Sequence, residues 1–199
     1  MTARLVLASA SPRRIDVLRQ IGLDPAVEPA DIDESYLDGE TPAEHVERLA
    51  RAKAEVVSAS FPDALVVGGD TIVLDGERVL GKPSDEAEAK AMLVGLSGRT
   101  HDVLTGLALA GPHGLVSGLN TTRVRFRNFD ADTAAAYVAT GEPLDKAGAY
   151  GIQGLGAALV DAIDGDYYSV VGFPVSTFLD LLARAGWRYD FGHLSRTAG

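Results

Sequence analysis

Arg13 and Arg14 stand directly after a Ser-Pro pair in the stretch LASASPRR, residues 7–14. Ser11 can cap the orphan N–H groups of a helix start, and Pro12 suits the first helical position. That end of a helix carries partial positive charge, so each cation placed there costs roughly 0.3–1 kcal/mol. An anion bound at the same helix start reverses the sign, because the free N–H groups and the dipole both attract it.

Other charges also stand where a soluble fold rarely leaves them without a reason. In PAEHVERLARAKAEVVS, Val46, Leu49, Ala50 and Val57 mark an apolar stripe at helical spacing. Lys53 comes seven residues after Val46 and four before Val57, in the middle of that stripe. Either its stem packs inside while the ammonium snorkels to water, or the ammonium points into a cleft at a carboxylate or an anionic ligand. Arg48, Arg51 and Glu55 fall elsewhere on the wheel and are read as solvated. Asp70 closes the buried-looking run ALVVGGD, whose two glycines let a ligand or another backbone come close. A carboxylate there is a turn cap, or it is paired, metal-bound or catalytic.

Lys82, in GKP, reads in isolation as a solvated loop lysine. Asp33 and Glu34 lie in an acidic loop of the kind that solvent alone explains. Hard cations such as Mg2+ nevertheless take one or two carboxylates together with substrate phosphates. Arg123, Arg125 and Arg127 alternate with Val124 and Phe126, the pattern of a structural strand with one wet face. His45, His101, His113 and His193 show no metal spacing. GIQGLG, residues 151–156, neither follows a strand nor opens a helix, so it fails the dinucleotide fingerprint. No serine sits in a nucleophile elbow. Together the helix start with two arginines, the inward lysine, the loop lysine and two or three carboxylates suit a polyphosphate bound with a divalent metal.

The elements that must position these groups alternate between strand and helix. RLVLAS is a short apolar strand entering the Ser-Pro start, and the helix after it places Ile15, Leu18 and Ile21 at helical spacing before Gly22. PAVEPADIDESYLDGETP is a strand end followed by a loop. The helix carrying Lys53 opens with a Thr41 cap, Pro42 and a capping-box Glu44. ALVVGGDTIVLDGERVLGKP reads as a strand, a break at Gly68-Gly69 and a hairpin turning at Asp75-Gly76. SDEAEAKAMLVGLSG is a capped helix ending in glycine. Two strands flank a Gly-Pro-His-Gly turn at residues 111–114, and a short helix runs from an Asp130 cap to Gly141. The glycine-rich segment from Glu142 mixes loop and strand. GFPVSTFLDLLARAG is a final amphipathic helix, with a loose, peripheral tail after Trp187. The expected fold is α/β around a mixed central sheet flanked by helices, as one domain over residues 1–199.

With 28 acidic and 18 basic residues the net charge is −10, which argues against nonspecific nucleic-acid or anionic-membrane partners. Without cysteine there are no disulfides and no thiolate metal sites. No stretch approaches the roughly 20 apolar residues of a bilayer span. The N-terminal apolar run is too short for a signal peptide, so a cytoplasmic location is the default expectation.

LASASPRR, ESY with Glu34, RLARAKAE, GGDTIV, GKP, LSGRTHDVLTG, EPLDKAGAYGIQG and GDYYSVVGFP occur here in the order seen in the Maf family of nucleoside triphosphate pyrophosphatases, which the chain resembles from about Leu5 to Leu182. GGDTIV, DKAGAYGIQG and SVVGFP look like the branch acting on dTTP and UTP. The resemblance implies a Maf/ITPase-like α/β fold with a deep cleft between two lobes, often as a homodimer. It implies house-cleaning hydrolysis of a nucleoside triphosphate to monophosphate and pyrophosphate with a divalent cation, Mg2+ or Mn2+. Residue by residue, Asp70 matches the proton acceptor that activates water. Arg13, Thr71 and Gln153 match positions associated with base selection. Ser9, Arg14, Lys53 and Lys82 match the phosphate surroundings, and Glu34 with Asp70 the metal carboxylates. Three rivals stay open: the same chemistry on another or modified base, a nucleotidyltransferase, and a non-catalytic nucleotide-binding regulator of cell division.

Overall fold

In the computed structural model, residues 4–112 and 114–197 are described; His113 of the Gly-Pro-His-Gly turn lies outside them. The strands are β1 (Leu5–Leu7), β2 (Ala26–Val27), β3 (Leu65–Asp75), β4 (Arg78–Leu80), β5 (Thr100–Gly111), β6 (Gly114–Phe126), β7 (Val160–Asp164), β8 (Trp187–Tyr189) and β9 (Leu194–Arg196). The helices are α1 (Pro12–Gln20), α2 (Pro42–Ser58), α3 (Glu86–Leu96), α4 (Ala131–Val138), α5 (Tyr167–Val171) and α6 (Val175–Arg184). Three short 3₁₀ turns occupy the glycine-rich segment between Glu142 and Leu159.

Seven strands form one mixed sheet in the order β2-β1-β3-β5-β6-β7, with β4 paired to β3. β1 runs parallel to both neighbours, Val6 facing Ala26 on one side and Val66 on the other, and all three of its residues are buried. That is why its sequence is a continuous apolar run and does not alternate. β4 and β7 join antiparallel to β3 and β6. The expected mixed sheet with flanking helices is the observed fold. The chain divides into two compact units, one holding residues up to Asp70, Thr105–Asn120 and Gly172 onward, the other Thr71–Leu104 and Thr121–Val171.

One core cluster of the first unit, between α2 and the sheet, is built from small residues: Val6 and Ala8, Ala50, Ala54 and Val57 of α2, Ala64 and Val66, and Ala108 and Ala110 of β5. A helix can approach a sheet this closely only where neither surface projects bulk. A Cβ added at Gly68 would sit 2.2 Å from the Ala50 carbonyl oxygen and 2.7 Å from the Ala54 nitrogen, and one at Gly106 would sit 2.7 Å from the Val46 carbonyl oxygen. Gly68, the first of the glycine pair before Asp70, therefore admits another backbone, that of α2. It does not break the strand: β3 runs unbroken for 11 residues in the middle of the sheet, a setting that outweighs the weak strand preference of glycine. Gly68→Ala is expected to cost about 3 kcal/mol by overpacking, lowering the thermal midpoint by about 6–12 °C in a scan of the purified variant.

The starts of α2 and α4 follow local chemistry, and that of α1 departs from it. Thr41 and Glu44 form the full capping box on α2, and Asp130 accepts from the Thr133 amide at 2.9 Å on α4. At α1 the Ser11 hydroxyl makes no cap bond; instead the Ser11 amide donates to Ser9 Oγ at 3.2 Å. The inner face of α1 is Arg14, Val17 and Leu18, with Ile15 and Ile21 only half-buried. After Trp187 the chain is not the loose tail expected. β8 pairs antiparallel with β9, Arg196 stacks over the Trp187 ring at 4.9 Å, and Tyr189 Oη donates to the Ile21 carbonyl at 2.5 Å.

In the second unit Arg125 pairs with Asp161 at 2.6 Å and Arg123 with Asp164, across β6 and β7, while Val124 and Phe126 point inward. The arginine ladder is the structural wet face its alternation implied. Next to Phe126, with ring centroids 4.9 Å apart, lies His101, 2% exposed, its Nε2 2.9 Å from Tyr150 Oη. Burial pulls His101 down to about 4, and Asp75 opposes only part of that. Its folded pKa lies below the unfolded value near 6.5, so the stabilisation from a neutral ring is full above pH 6.5 and is lost as pH falls toward 4. The loss amounts to about 3 kcal/mol at most. Urea titrations between pH 7 and 4 should show this decline, and His101→Gln should flatten it. Among the described residues no helix is long and apolar enough to cross a membrane.

Candidate active site

The start of α1 sits at the end of β1, where the chain turns through Ala8 and Ser9. Ser9 Oγ accepts from the Ser11 amide and from Arg14 Nη1 at 2.9 Å, and Arg14 Nε donates to the Gly172 carbonyl at 2.8 Å. Arg14 is buried and lies along β3: a Cβ at Gly69 would meet its Nε at 3.4 Å and Leu107 at 2.9 Å. Burial pulls the guanidinium below its ordinary pKa; Asp70 opposes that, Arg13 adds to it and Glu34 opposes it. Arginine stays protonated regardless. The fold thus holds a second cation beside Arg13 at a helix start, in a dry setting, with two carboxylates in electrostatic reach.

Those carboxylates meet Lys53. From the middle of the apolar stripe of α2, Lys53 Nζ donates to Glu34 Oε1 at 2.6 Å and to Asp70 Oδ1 at 2.9 Å. Of the two readings of this lysine, the one that aims its ammonium at a carboxylate is the one realised. Asp70 lies in mid-strand, not at a strand end; its side chain is 15% exposed, whereas that of Glu34 is 57% exposed. The aspartate is therefore set by the sheet, and the glutamate reaches in from a loop at the surface. Asp33 serves that loop instead: its Oδ1 accepts from the Ser35 amide at 2.9 Å, a bond that holds its carboxyl below the usual range.

A network that sequence patterns did not indicate pins the same loop to α2. Glu40, its side chain 7% exposed, accepts from Arg48 Nε at 2.5 Å and lies 2.9 Å from His45 Nδ1. Arg48 also donates to the Ser35 carbonyl at 2.9 Å, and the Tyr36 ring stacks on His45 with centroids 3.5 Å apart. Arg48, read as solvated, is in fact the clamp on the residue next to Glu34. Its guanidinium pulls Glu40 down to about 2 against the opposing effect of burial, helped by His45 and the Leu37 amide. Nothing in the periodicity of α2 could reveal this, because Glu40 lies outside the helix.

In the second unit, Thr71 follows Asp70 on β3 and is half-buried; Lys82 lies just after β4 and Gln153 in the turn region after Tyr150, both exposed. The first unit thus brings together Ser9, Arg14, Glu34, Lys53 and Asp70 through bonds and electrostatic contact, with Arg13 beside them.

No group of three or more His, Asp and Glu among the described residues is arranged to hold a metal ion. Glu34 and Asp70, converging on one ammonium, offer two oxygen ligands. That donor set fits a hard divalent cation that brings the rest of its ligands with it as phosphate oxygens.

A mixed parallel and antiparallel sheet, a cationic helix start and a lysine shared by two carboxylates define an α/β protein equipped to handle an anionic substrate. The family described as Maf-like protein matches residues 4–185, and the chain belongs to that family. A dTTP/UTP pyrophosphatase of Moorella thermoacetica is 53% identical over 188 residues, covering 92% of this chain and 96% of its own. One of Symbiobacterium thermophilum is 51% identical over 185 residues, covering 92% and 95%. Among solved structures, the Staphylococcus aureus Ham1 protein covers 62% of this chain and 71% of its own, at 21% identity and a TM-score of 0.45.

Proposed function

We propose that this protein hydrolyses nucleoside triphosphates, dTTP and UTP foremost, to the monophosphate and pyrophosphate. The observation that carries the reading is the Lys53 ammonium held between Glu34 and Asp70, within electrostatic reach of a buried arginine at a helix start. The Moorella and Symbiobacterium relatives both bear the name dTTP/UTP pyrophosphatase, which supports pyrimidine triphosphates as the substrate class.

In this reading Asp70 orients a water molecule and accepts its proton as the oxygen attacks the α-phosphorus. The new P–O bond forms as the bond to the β-phosphate bridging oxygen breaks, and pyrophosphate departs with the electron pair. Arg14, Lys53 and Lys82 take up the charge that builds on the leaving group, and Ser9 orients Arg14. Arg13, Thr71 and Gln153 contact the base. Glu34 and Asp70 would hold Mg2+ or Mn2+, which would supply Lewis-acid neutralisation of the phosphates.

The test is a panel of ribo- and deoxynucleoside triphosphates, each incubated with the protein and Mg2+ or Mn2+, with released pyrophosphate measured. Pyrophosphate from dTTP and UTP in excess of the purine nucleotides is the expected result. Binding without turnover on every nucleotide would overturn hydrolysis in favour of a regulator, and turnover that requires an acceptor other than water would favour a transferase.

A further inference from the structure

The motif GIQGLG fails as a dinucleotide fingerprint, and the structure shows what its glycines are for. Gly151 to Gly154 form a turn closed by the Gly154 amide on the Gly151 carbonyl at 3.3 Å, with exposed Gln153 at its third position and Ile152 buried beneath. Two side chains from outside the turn hold its backbone. Tyr137 Oη, on the last turn of α4, accepts from the Gly151 amide at 3.0 Å and donates to Glu142 Oε1 at 2.8 Å. Glu142 then accepts from the amides of Leu155 and Gly156 at 2.9 and 3.1 Å. Lys146 Nζ ties the Glu142 carbonyl at 2.6 Å.

The contacts are too close for any residue with a Cβ. A Cβ at Gly154 would lie 2.4 Å from Glu142 Oε2, and one at Gly156 would lie 2.5 Å from Tyr137 Oη and 2.7 Å from the Gly151 carbonyl oxygen. Gly154 and Gly156, just after Gln153, thus let a carboxylate and a phenol reach the main chain. Burial pushes Glu142 up, but the Leu155 amide, the Tyr137 hydroxyl and the Gly156 amide outweigh it, so the carboxylate stays charged and its bonds are the strong kind.

We propose that Tyr137 and Glu142 are positioning residues that set nucleotide selectivity by fixing the turn that presents Gln153. The inference rests on the reading of Gln153 as a base contact. A glutamine discriminates bases only if its amide is held in one place, since a donor–acceptor pair free to wander pairs with any base edge. Removing the Tyr137 hydroxyl leaves the Gly151 amide buried without its acceptor and frees one end of the turn.

The test compares Tyr137→Phe, Gln153→Ala and the double variant by kcat and KM on UTP and ATP, together with amide hydrogen exchange of residues 151–156. Tyr137→Phe should narrow the UTP/ATP ratio of kcat/KM about tenfold, chiefly by raising KM for UTP, and should speed exchange in the turn. Gln153→Ala should narrow the ratio at least as far without speeding exchange, and the double variant should be no less selective than Gln153→Ala alone. If Gln153→Ala narrows the ratio and Tyr137→Phe leaves it intact, or lowers kcat equally on both nucleotides, the positioning role is overturned while the base-contact reading stands. If Gln153→Ala leaves the ratio intact, the base-contact reading fails and takes the positioning role with it. Should Tyr137→Phe not fold, Glu142→Gln decides by the same readouts.

Discussion

Asp70→Asn is expected to lower pyrophosphate release from UTP by about 10³-fold, within the range ascribed to a positioned general base, while UTP binding stays within a few-fold of the unsubstituted protein. The asparagine keeps the shape and an acceptor for Lys53, so the geometry set by β3 survives. What it loses is the basicity that, in the proposed reaction, takes a proton from water. Arg14 keeps its bonds to Ser9 Oγ and to the Gly172 carbonyl, and in the proposed reading these hold the anion site at the helix start. Initial rates from a coupled pyrophosphate assay and calorimetric titration with UTP separate the two quantities. Undiminished turnover would remove Asp70 from the chemistry; lost binding with an unchanged rate constant would make it a ligand contact alone.

Lys53→Met carries the second large expectation. Methionine keeps an unbranched stem on the apolar face of α2 and deletes only the ammonium. The substitution leaves Glu34 and Asp70 facing each other without the cation that joins them, and in the proposed reaction it removes one of the three cations that take up charge on the departing pyrophosphate. A loss of about 10²–10³ in kcat/KM follows, the magnitude found when one preorganised electrostatic donor is removed from a transition state. Because the lysine links the two carboxylates, Glu34→Gln placed on top of Lys53→Met should cost less than Glu34→Gln alone. A full, additive cost in the double variant would mean that Lys53 and Glu34 act independently, contrary to the 2.6 Å contact between them.

The parts of this site that were legible in the sequence are those set by neighbours along the chain. The inward direction of Lys53 follows from three or four residues on either side of it. The capping box of α2, the Asp130 cap of α4, the wet face of β6 and the position of the α1 start at Ser11-Pro12 are likewise short-range. The misreadings share one cause. Gly68-Gly69 looked like a break because glycine disfavours a strand locally, yet β3 continues through it as a central strand of the sheet, between β1 and β5 in strand order. Arg48 looked solvated because its helical neighbours are polar, yet its partner Glu40 lies in the preceding loop. The chain after Trp187 looked loose because its two strands are only three residues each.

For the opening pair of arginines, the residues alone determined the problem: two cations at a helix start, which local electrostatics disfavour unless an anion is present. Only the tertiary structure decided the answer to that problem for Arg14. Besides Ser9, five positions back, it meets the Gly172 carbonyl, 158 positions away, and the charge of the Asp70 carboxylate delivered by a central strand. Lys53 and Asp70 lie 17 positions apart on a helix and a strand whose separation is set by Gly68. Periodicity and propensity act over a turn or two of chain, whereas a charge chooses its partner by distance in space, and that distance is fixed only when the helix and the sheet pack together.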